Sequence, residues 1–298
     1  MSIELIISLV KANIVLAVLL TNTILLIWFE RKVVAGMQSR VGPDRAGPFG
    51  ILQTLADAIK LLLKEQILPL KADRAMYLLA PLIALVPSFL IFMIIPLGPD
   101  ITVEWQNALY TIPLVGADLN VGVLYFLALS SIAVYSVVLA GWSSGSKYPL
   151  LGGVRASAQM ISYEAAMGLA LVPVILYSGS LSLVDIVNSQ SGNLSSSIPI
   201  LNTIVSFIPK WNIFPQFVAF GIFFIAAVAE VNRAPFDLVE AEQELVGGFH
   251  TEYSGFRFAM FFLAEYINMF NMCAITATFF LGGWLGPVSY THLTLPTT

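Results

Sequence analysis

A cluster of acidic side chains between residues 230 and 253 provides the clearest chemistry in this sequence. It holds six of the chain's eighteen acidic residues and a single Arg or Lys, Arg233. The acids are Glu230, Asp237, Glu240, Glu242, Glu244 and Glu252. Long apolar segments flank the cluster at 214–229 and 256–285, so its charges lie at or near a membrane boundary. Ionisable groups are costly there and are commonly functional.

Two further acids, Glu164 and Glu265, lie inside apolar segments. Counted along those segments, they are about seven and about nine residues from one membrane surface, which at ~1.5 Å per residue is roughly 10 to 14 Å deep. Pairing of Glu164 with Arg155 and of Glu230 with Arg233 would neutralise single acids. Because the acids still outnumber the nearby bases, burial and mutual repulsion should keep some of them protonated near neutral pH. This pattern is typical of a proton relay or an ion path.

A short turn at the start of the acidic cluster could bind a ligand. Pro235 interrupts helical continuity, which allows Arg233, Phe236 and Asp237 to point into a cavity. An aromatic ring with polar neighbours suits a ring-bearing, amphipathic molecule. A second interpretation stays open, in which Asp237 caps a helix that begins near Leu238.

The framework around these residues must be a membrane framework. The chain has 298 residues, of which 58% are hydrophobic and 11% are charged, whereas soluble domains carry about 25% charged residues. Apolar runs near the roughly 20 residues of a bilayer crossing occur at 5–29, 77–97, 121–140, 158–177, 214–229 and 256–285. Continuous rather than alternating apolar residues predict helices. We therefore predict an all-α fold, a polytopic transmembrane helical bundle with six spans.

The basic residues predict the orientation of this bundle. Twelve of the fourteen Lys and Arg residues flank one side of the predicted spans, so by the positive-inside rule that side faces the cytoplasm or the mitochondrial matrix. The acidic cluster lies on this inner side. The two outer connections, 98–120 and 178–212, are interpreted as connectors.

The first inner connection contains a predicted amphipathic helix over residues 49–65. Its apolar residues recur with a helical period, and Asp57, Lys60 and Lys64 share the polar face. This pattern indicates a helix in the membrane interface. A membrane-surface anchor is the simplest interpretation, although Asp57 gains nothing from facing anionic lipid.

Other chemistries have little support. The single cysteine, Cys273, cannot form a disulfide within the chain. The sequence has no evident metal-ligand spacing, nucleotide-binding glycine pattern or nucleophile triad. We therefore expect no metal, no bound redox cofactor and no nucleic acid on this chain.

The stretch from Glu230 to Gly248, EVNRAPFDLVEAEQELVGG, closely resembles the signature of the quinone-channel membrane subunit of respiratory complex I. Supporting motifs occur in the family order at 30–32, 38–43, 53–61, 141–144, 155–164 and 264–266. Thr54 replaces a usual Pro and Val231 a frequent Thr. The family has eight spans and continues beyond Pro287.

Residues 288–298 differ from that pattern. They carry no Lys, Arg, Asp or Glu and show no helical period. We interpret 1–287 as a single membrane domain and 288–298 as a tail foreign to the family, which we expect to pack against nothing.

The resemblance implies a membrane subunit of proton-pumping NADH:quinone oxidoreductase, without a complete active site or catalytic residue of its own. The residues implied to line or gate the quinone passage are Arg40, Asp57, Lys60, Arg233, Phe236 and Asp237. Those implied to form the acidic path coupling quinone reduction to proton translocation are Glu164, Glu230, Glu240, Glu242, Glu244 and Glu265. Quinone is the implied substrate, while NADH, FMN and iron–sulfur clusters would lie on partner subunits.

The implied partners are the other complex I subunits and membrane lipid, in the bacterial inner membrane or the mitochondrial inner membrane. Two alternatives remain: the equivalent subunit of a complex I-like membrane-bound hydrogenase, and an unrelated proton or ion transporter. Transporters usually show inverted repeats, and none is evident in this sequence.

Overall fold

A computed structural model describes residues 3–105, 108–194, 209–237 and 247–286. The α-helices in these ranges are α1 (Ile3–Met37), α2 (Gln53–Leu63), α3 (Arg74–Met93), α4 (Gly122–Ser143), α5 (Lys147–Ser178), α6 (Leu183–Ser189), α7 (Phe217–Glu230) and α8 (Gly255–Phe280). Strands β1 (Ile101–Trp105) and β2 (Ala108–Ile112) pair antiparallel, with Ile101 opposite Ile112. Short 3-10 helices cover Pro48–Gly50 and Gly248–His250. The tail expected at 288–298 lies outside the described residues.

All six predicted apolar segments contain a helix, which confirms the polytopic helical bundle. Helices α1, α3, α4, α5 and α8 are long and apolar enough to cross a membrane. Helix α7 has 14 residues, about 21 Å at ~1.5 Å per residue. This is shorter than the roughly 30 Å hydrocarbon core.

The predicted start of the fourth span was wrong by eleven residues. Helix α5 begins at Lys147 rather than at 158, so Glu164 lies seventeen residues after the start of its helix instead of about seven. Hydropathy does not signal this first part of α5, because Lys147, Arg155 and two glycines interrupt its apolar residues. Close backbone packing accompanies these residues. A Cβ on Gly152 would lie 2.8 Å from the Gly248 backbone, and a Cβ on Gly141 would lie 2.5 Å from the Pro149 carbonyl oxygen.

The two outer connections contain regular structure that the sequence analysis missed. The first carries β1 and β2, and the second carries α6, whose N-cap Ser182 accepts a hydrogen bond from the Asp185 N–H. The strands have five residues each and α6 has seven. Elements this short give little periodic signal.

The chain divides into two compact units, and the predicted chemistry lies in the first. That unit comprises Met1–Phe92, Ala128–Glu164 and Val228–Asn271. Its core includes the stacked rings of Tyr77 and Tyr253, whose centroids are 4.1 Å apart. Pro81 has no N–H for the Tyr77 carbonyl one turn earlier, and the Tyr253 hydroxyl donates to that carbonyl at 3.3 Å. A backbone group left open by proline is thus satisfied by a side chain.

Helix α1 lies at the edge of the first unit and supports α2. Only 11% of the most apolar stretch of α1 is buried. The Trp28 Nε1–H donates to the Phe49 carbonyl at 2.9 Å, and the Thr54 hydroxyl donates to the Ile24 carbonyl at 3.4 Å. Arg31 forms an ion pair with Asp57. These contacts attach the predicted amphipathic helix to the second half of α1.

The second unit comprises Met93–Leu127, Ala165–Ala227 and Met272–Thr298. A buried amide, Gln190, organises its described part. The Gln190 Nε2 donates to the Thr278 carbonyl at 2.9 Å, and its Oε1 accepts from the backbone N–H groups of Asn212 and Gly282 at 3.2 and 3.1 Å. The segment after α6 is thereby tied to the end of α8.

Replacing Gly152 with Ala should destabilise the first unit, because the added methyl group would meet the Gly248 backbone, which cannot rotate away as a side chain can. We expect a loss of roughly 1–3 kcal/mol, measured as a lower thermal unfolding temperature of the purified protein in detergent. Gly36→Ala is the matched control, since a Cβ there would have no neighbour within 4 Å. Equal unfolding temperatures for Gly152→Ala and wild type would contradict the close packing described here.

Candidate functional site

Arg233 is the centre of a cluster of charged groups in the first unit. Its Nη1 lies 3.0 Å from Glu30 Oε1 on α1, and its Nε lies 3.3 Å from Glu265 Oε1 on α8. The guanidinium also lies over the Tyr266 ring, 4.6 Å from the centroid, where cation–π attraction adds to the ion pairs. One cation therefore joins a loop to two helices.

The turn after α7 is held by a second residue, Gln159 of α5. The buried Gln159 Nε2 donates to the Phe236 carbonyl at 2.7 Å and to the Ala229 carbonyl at 3.2 Å. The Phe236 N–H donates to the Arg233 carbonyl at 2.8 Å, which closes the turn. The Phe236 ring contacts Tyr163, with centroids 5.2 Å apart. One face of α5 thus fixes both the end of α7 and the turn that follows it.

The predicted membrane acids form hydrogen bonds with serines of α4. The Ser130 hydroxyl donates to Glu230 Oε1 at 2.9 Å, and the Ser131 hydroxyl donates to Glu164. The two ion pairs considered from sequence, Glu164 with Arg155 and Glu230 with Arg233, are not the contacts seen for these carboxylates. Adjacent serines cannot face the same direction on a helix, so the two acids approach different faces of α4.

Glu230 and Glu265 line one small cavity of about 60 Å³. Asn232, His250 and Asn268 contribute further polar groups to its lining. The Glu230 side chain is buried, and its Oε2 accepts no hydrogen bond from the described part of the chain. A few water molecules fit this volume, whereas ligand pockets are roughly 300–1,000 Å³. The cavity therefore suits water beside carboxylates better than a quinone ring.

His250 connects this cavity to the turn. Its ring packs edge-on against Phe249, Phe258 and Phe262, with centroids 5.0 to 5.8 Å away. Burial lowers the pKa of His250 to about 4, although the negative charge of Asp237 opposes this shift. His250 is consequently neutral at pH 7, and one of its nitrogens can accept a proton or a hydrogen bond.

Three of the predicted quinone-passage residues, Arg40, Asp57 and Lys60, lie on or before α2. Burial alone raises the pKa of Asp57, but hydrogen bonds from Arg31 and Gln53 and the charges of Arg31 and Lys60 leave that pKa below its ordinary value. Lys60 is exposed. The Nε–H of the exposed Arg40 donates to Gln38 at 2.7 Å. These three residues therefore lie apart from the contacts that centre on Arg233.

Three predicted acids, Glu240, Glu242 and Glu244, fall within 238–246, outside the described residues. The proposed helix cap at Asp237 cannot be followed for the same reason.

Four residues of the site were missed by sequence reasoning: Glu30, Ser130, Gln159 and Tyr266. Glu30 and Tyr266 both lie within motifs that carried the resemblance, and Gln159 lies in a third. Their polarity at the edge of apolar segments was the available signal. Ser130 gave none, because a serine in an apolar helix usually bonds its own backbone.

The chemical capacity of the site follows from its charges. One guanidinium pairs with the carboxylates of Glu30 and Glu265, and the Glu230 carboxylate lines the same cavity as Glu265. Carboxylates grouped in this way around one cation are suited to proton exchange. Among the described residues, no group of three or more His, Cys, Asp or Glu is arranged to hold a metal ion.

Comparisons with known proteins place these residues in a family. The chain matches the NADH dehydrogenase family over residues 10–297. It is 51% identical over 278 residues to an H-type subunit of NADH-quinone oxidoreductase from Syntrophobacter fumaroxidans, covering 93% of this chain and 78% of that protein. It is 54% identical over 269 residues to the corresponding H-type component from Geobacter metallireducens, covering 87% and 72%. It is 53% identical over 281 residues to that from Frankia casuarinae, covering 94% of this chain but only 57% of that longer protein.

Replacing His250 with Asn should make the protein less sensitive to acid. Unfolded histidine has a pKa of about 6.5, so the folded form with its lower pKa gains stability above pH ~6.5 and loses it as the pH falls toward 4. The thermal unfolding temperature should therefore fall less between pH 7 and pH 5 in His250→Asn than in wild type. The chain's other histidine provides the control, His292→Asn. Identical acid sensitivity of wild type and His250→Asn would show that His250 is not held neutral by the fold.

Proposed function

The chain belongs to the NADH dehydrogenase family of membrane subunits, and from this premise we propose that it forms part of the quinone passage of NADH:quinone oxidoreductase and begins an acidic path to proton translocation. The relatives' names favour this assignment over the hydrogenase and transporter alternatives. The observation that carries the proposal is the position of Arg233, which joins the turn of Phe236 and Asp237 to the carboxylates of Glu30 and Glu265.

The turn has the groups that a quinone head requires. The buried Arg233 Nη2 makes no hydrogen bond within the described ranges, so it can donate to a quinone carbonyl oxygen. The Phe236 ring, supported by Tyr163, offers an apolar face to the quinone ring. Asp237 lies at the end of this turn and can supply or relay a proton when the quinone is reduced. Gln159 would keep these groups in place through its bonds to the backbone.

The other proposed passage residues would act nearer to the lipid. Asp57 is fixed on α2 by Arg31, while Lys60 and Arg40 are exposed. Exposed cations at the inner boundary can guide the polar head of a quinone from the membrane, which is the role we assign to them.

Proton coupling would begin with Arg233. Reduction of a quinone by two electrons requires two protons, and a negative charge that develops at the quinone attracts the guanidinium. Any weakening of the Arg233 ion pair with Glu265 leaves that carboxylate less neutralised, which favours protonation in the cavity that it shares with Glu230. From Glu230 the path would continue toward Glu164, and Glu240, Glu242 and Glu244 would connect the turn with the cavity.

The remaining parts of the reaction would lie elsewhere in the complex. NADH, FMN and the iron–sulfur clusters belong to partner subunits in this proposal, and those partners would dock on the inner loops. The named relatives are bacterial proteins, so we propose the bacterial inner membrane as the location.

Substitution of Arg233 tests the quinone assignment. Arg233→Ala in the assembled complex should lower NADH:quinone activity by about tenfold or more, because a charge-assisted hydrogen bond and an ion pair are lost. Electron transfer from NADH to a hydrophilic artificial acceptor should be unchanged, since it bypasses the membrane subunit. Arg74→Ala, a change of an exposed arginine, should keep both activities. Equal loss of both activities in Arg233→Ala would indicate failed assembly and remove the support for a quinone role.

Substitution of Glu230 tests the acidic path separately. Glu230→Gln keeps the side chain's size and the Ser130 hydrogen bond but cannot carry a proton. The number of protons pumped per NADH oxidised, measured in proteoliposomes, should fall while the artificial-acceptor activity is retained. The matched control is Ser130→Ala, which keeps the carboxylate and should pump. Full pumping stoichiometry in Glu230→Gln would exclude Glu230 from the path.

A further inference from the structure

Helix α2 presents an apolar surface that no described residue covers. Five aliphatic side chains form it, each between 47% and 83% exposed: Leu52, Leu55, Ile59, Leu62 and Leu63. At 3.6 residues per turn they share one stripe about 100° wide. The contacts with α1 come instead from Thr54 and Asp57, which lie on another face. The stripe therefore points away from the helix that supports α2.

The charges beside this stripe are positive. Lys60 and Lys64 lie four residues apart on one edge of the helix, and both are exposed. The acid on the same edge, Asp57, is neutralised by Arg31. The sequence alone had made Asp57 an argument against contact with anionic lipid, and the ion pair removes that argument. Lys60 lies within the helix, whereas Lys64 is its C-cap and Glu65 follows, so both of these lie beyond the last helical residue, Leu63.

The depth of α2 agrees with a lipid neighbour. Its contacts reach Ile24 and Arg31 of α1, so α2 lies beside the end of the apolar stretch of α1 and the first basic residue of the inner boundary. The stripe contains no Trp, Tyr or Arg, the residue types that dominate binding energy in protein–protein interfaces. A leucine-rich stripe edged by lysines is typical of helices that lie in a lipid interface.

We propose that this face of α2 binds anionic phospholipid, with Leu55, Ile59 and Leu62 among the acyl chains and the Lys60 and Lys64 ammonium groups on the phosphates. Each lysine near an anionic surface contributes about a fivefold change in lipid affinity. The aliphatic stripe gives membrane contact, and the lysines give the preference for negative headgroups. The inference shares Lys60 with the proposed quinone passage, so its test varies Lys64, which is not part of that passage.

The test uses the full chain with its copurifying subunits in phosphatidylcholine nanodiscs. These contain a trace of photoactivatable phosphatidylglycerol or of photoactivatable phosphatidylcholine, and labelled positions are read by mass spectrometry. We expect phosphatidylglycerol to label residues 52–64 several-fold more than phosphatidylcholine does, and Lys64→Gln to reduce that ratio by up to about fivefold. Lys64→Arg, which retains the charge, and Lys11→Gln, on the predicted opposite side, should keep the wild-type ratio.

Two results would overturn the proposal. Absence of label on α2 from either lipid would show that a protein partner covers the stripe. Equal labelling by both lipids would show contact with lipid but no anionic preference. Because the readout is lipid labelling, it is independent of NADH:quinone activity, so failure of the quinone assignment would leave this result unaffected.

Discussion

The site depends on one constraint: the Arg233 guanidinium pairs with two carboxylates in a half-buried setting. A lone charge in such a place is unstable, so each acid needs either a cation, a hydrogen-bond donor or a proton. Arg233 provides a cation for Glu30 and Glu265, and Ser130 provides a hydrogen-bond donor for Glu230. Within the described ranges, these acids outnumber the one guanidinium that is paired with them. The structure therefore fixes the positions of these acids through a small number of donors.

Several contacts within the first unit hold the backbone around Arg233 in place. Gln159 bonds the two carbonyls that flank the loop, so the end of α7 and the turn move together with α5. The close approach of Gly152 to Gly248 brings α5 beside the segment that carries His250. The neutral imidazole then adds no positive charge to the cavity. A protonated His250 would place a positive charge in the cavity that Glu230 and Glu265 also line.

The sequence predicted the helices well because bilayer crossing demands long apolar runs, and each of the six runs contains a helix. It predicted their ends poorly where a helix extends beyond its apolar run, as at 147–157 of α5. It also missed β1, β2 and α6, whose five to seven residues are too few to show a period. The membership of Arg233 and Glu265 in one cluster was anticipated only in outline. The ion pair between Arg233 and Glu30, which are 203 residues apart in sequence, could not be predicted without knowing which helices pack together.

The residues that the resemblance implied for the quinone passage fall into two groups in the structure. Arg233, Phe236 and Asp237 lie on a turn that is bonded to the carboxylate cluster, so a ligand there can change the electrostatics of the cluster directly. Arg40, Asp57 and Lys60 lie on or before α2, where exposed cations and aliphatic side chains meet solvent or lipid. The contacts described for Arg40 and Asp57 are with Gln38, Arg31 and Gln53. In the proposed function, coupling would therefore begin at the turn, and α2 would act earlier, on the path from the lipid.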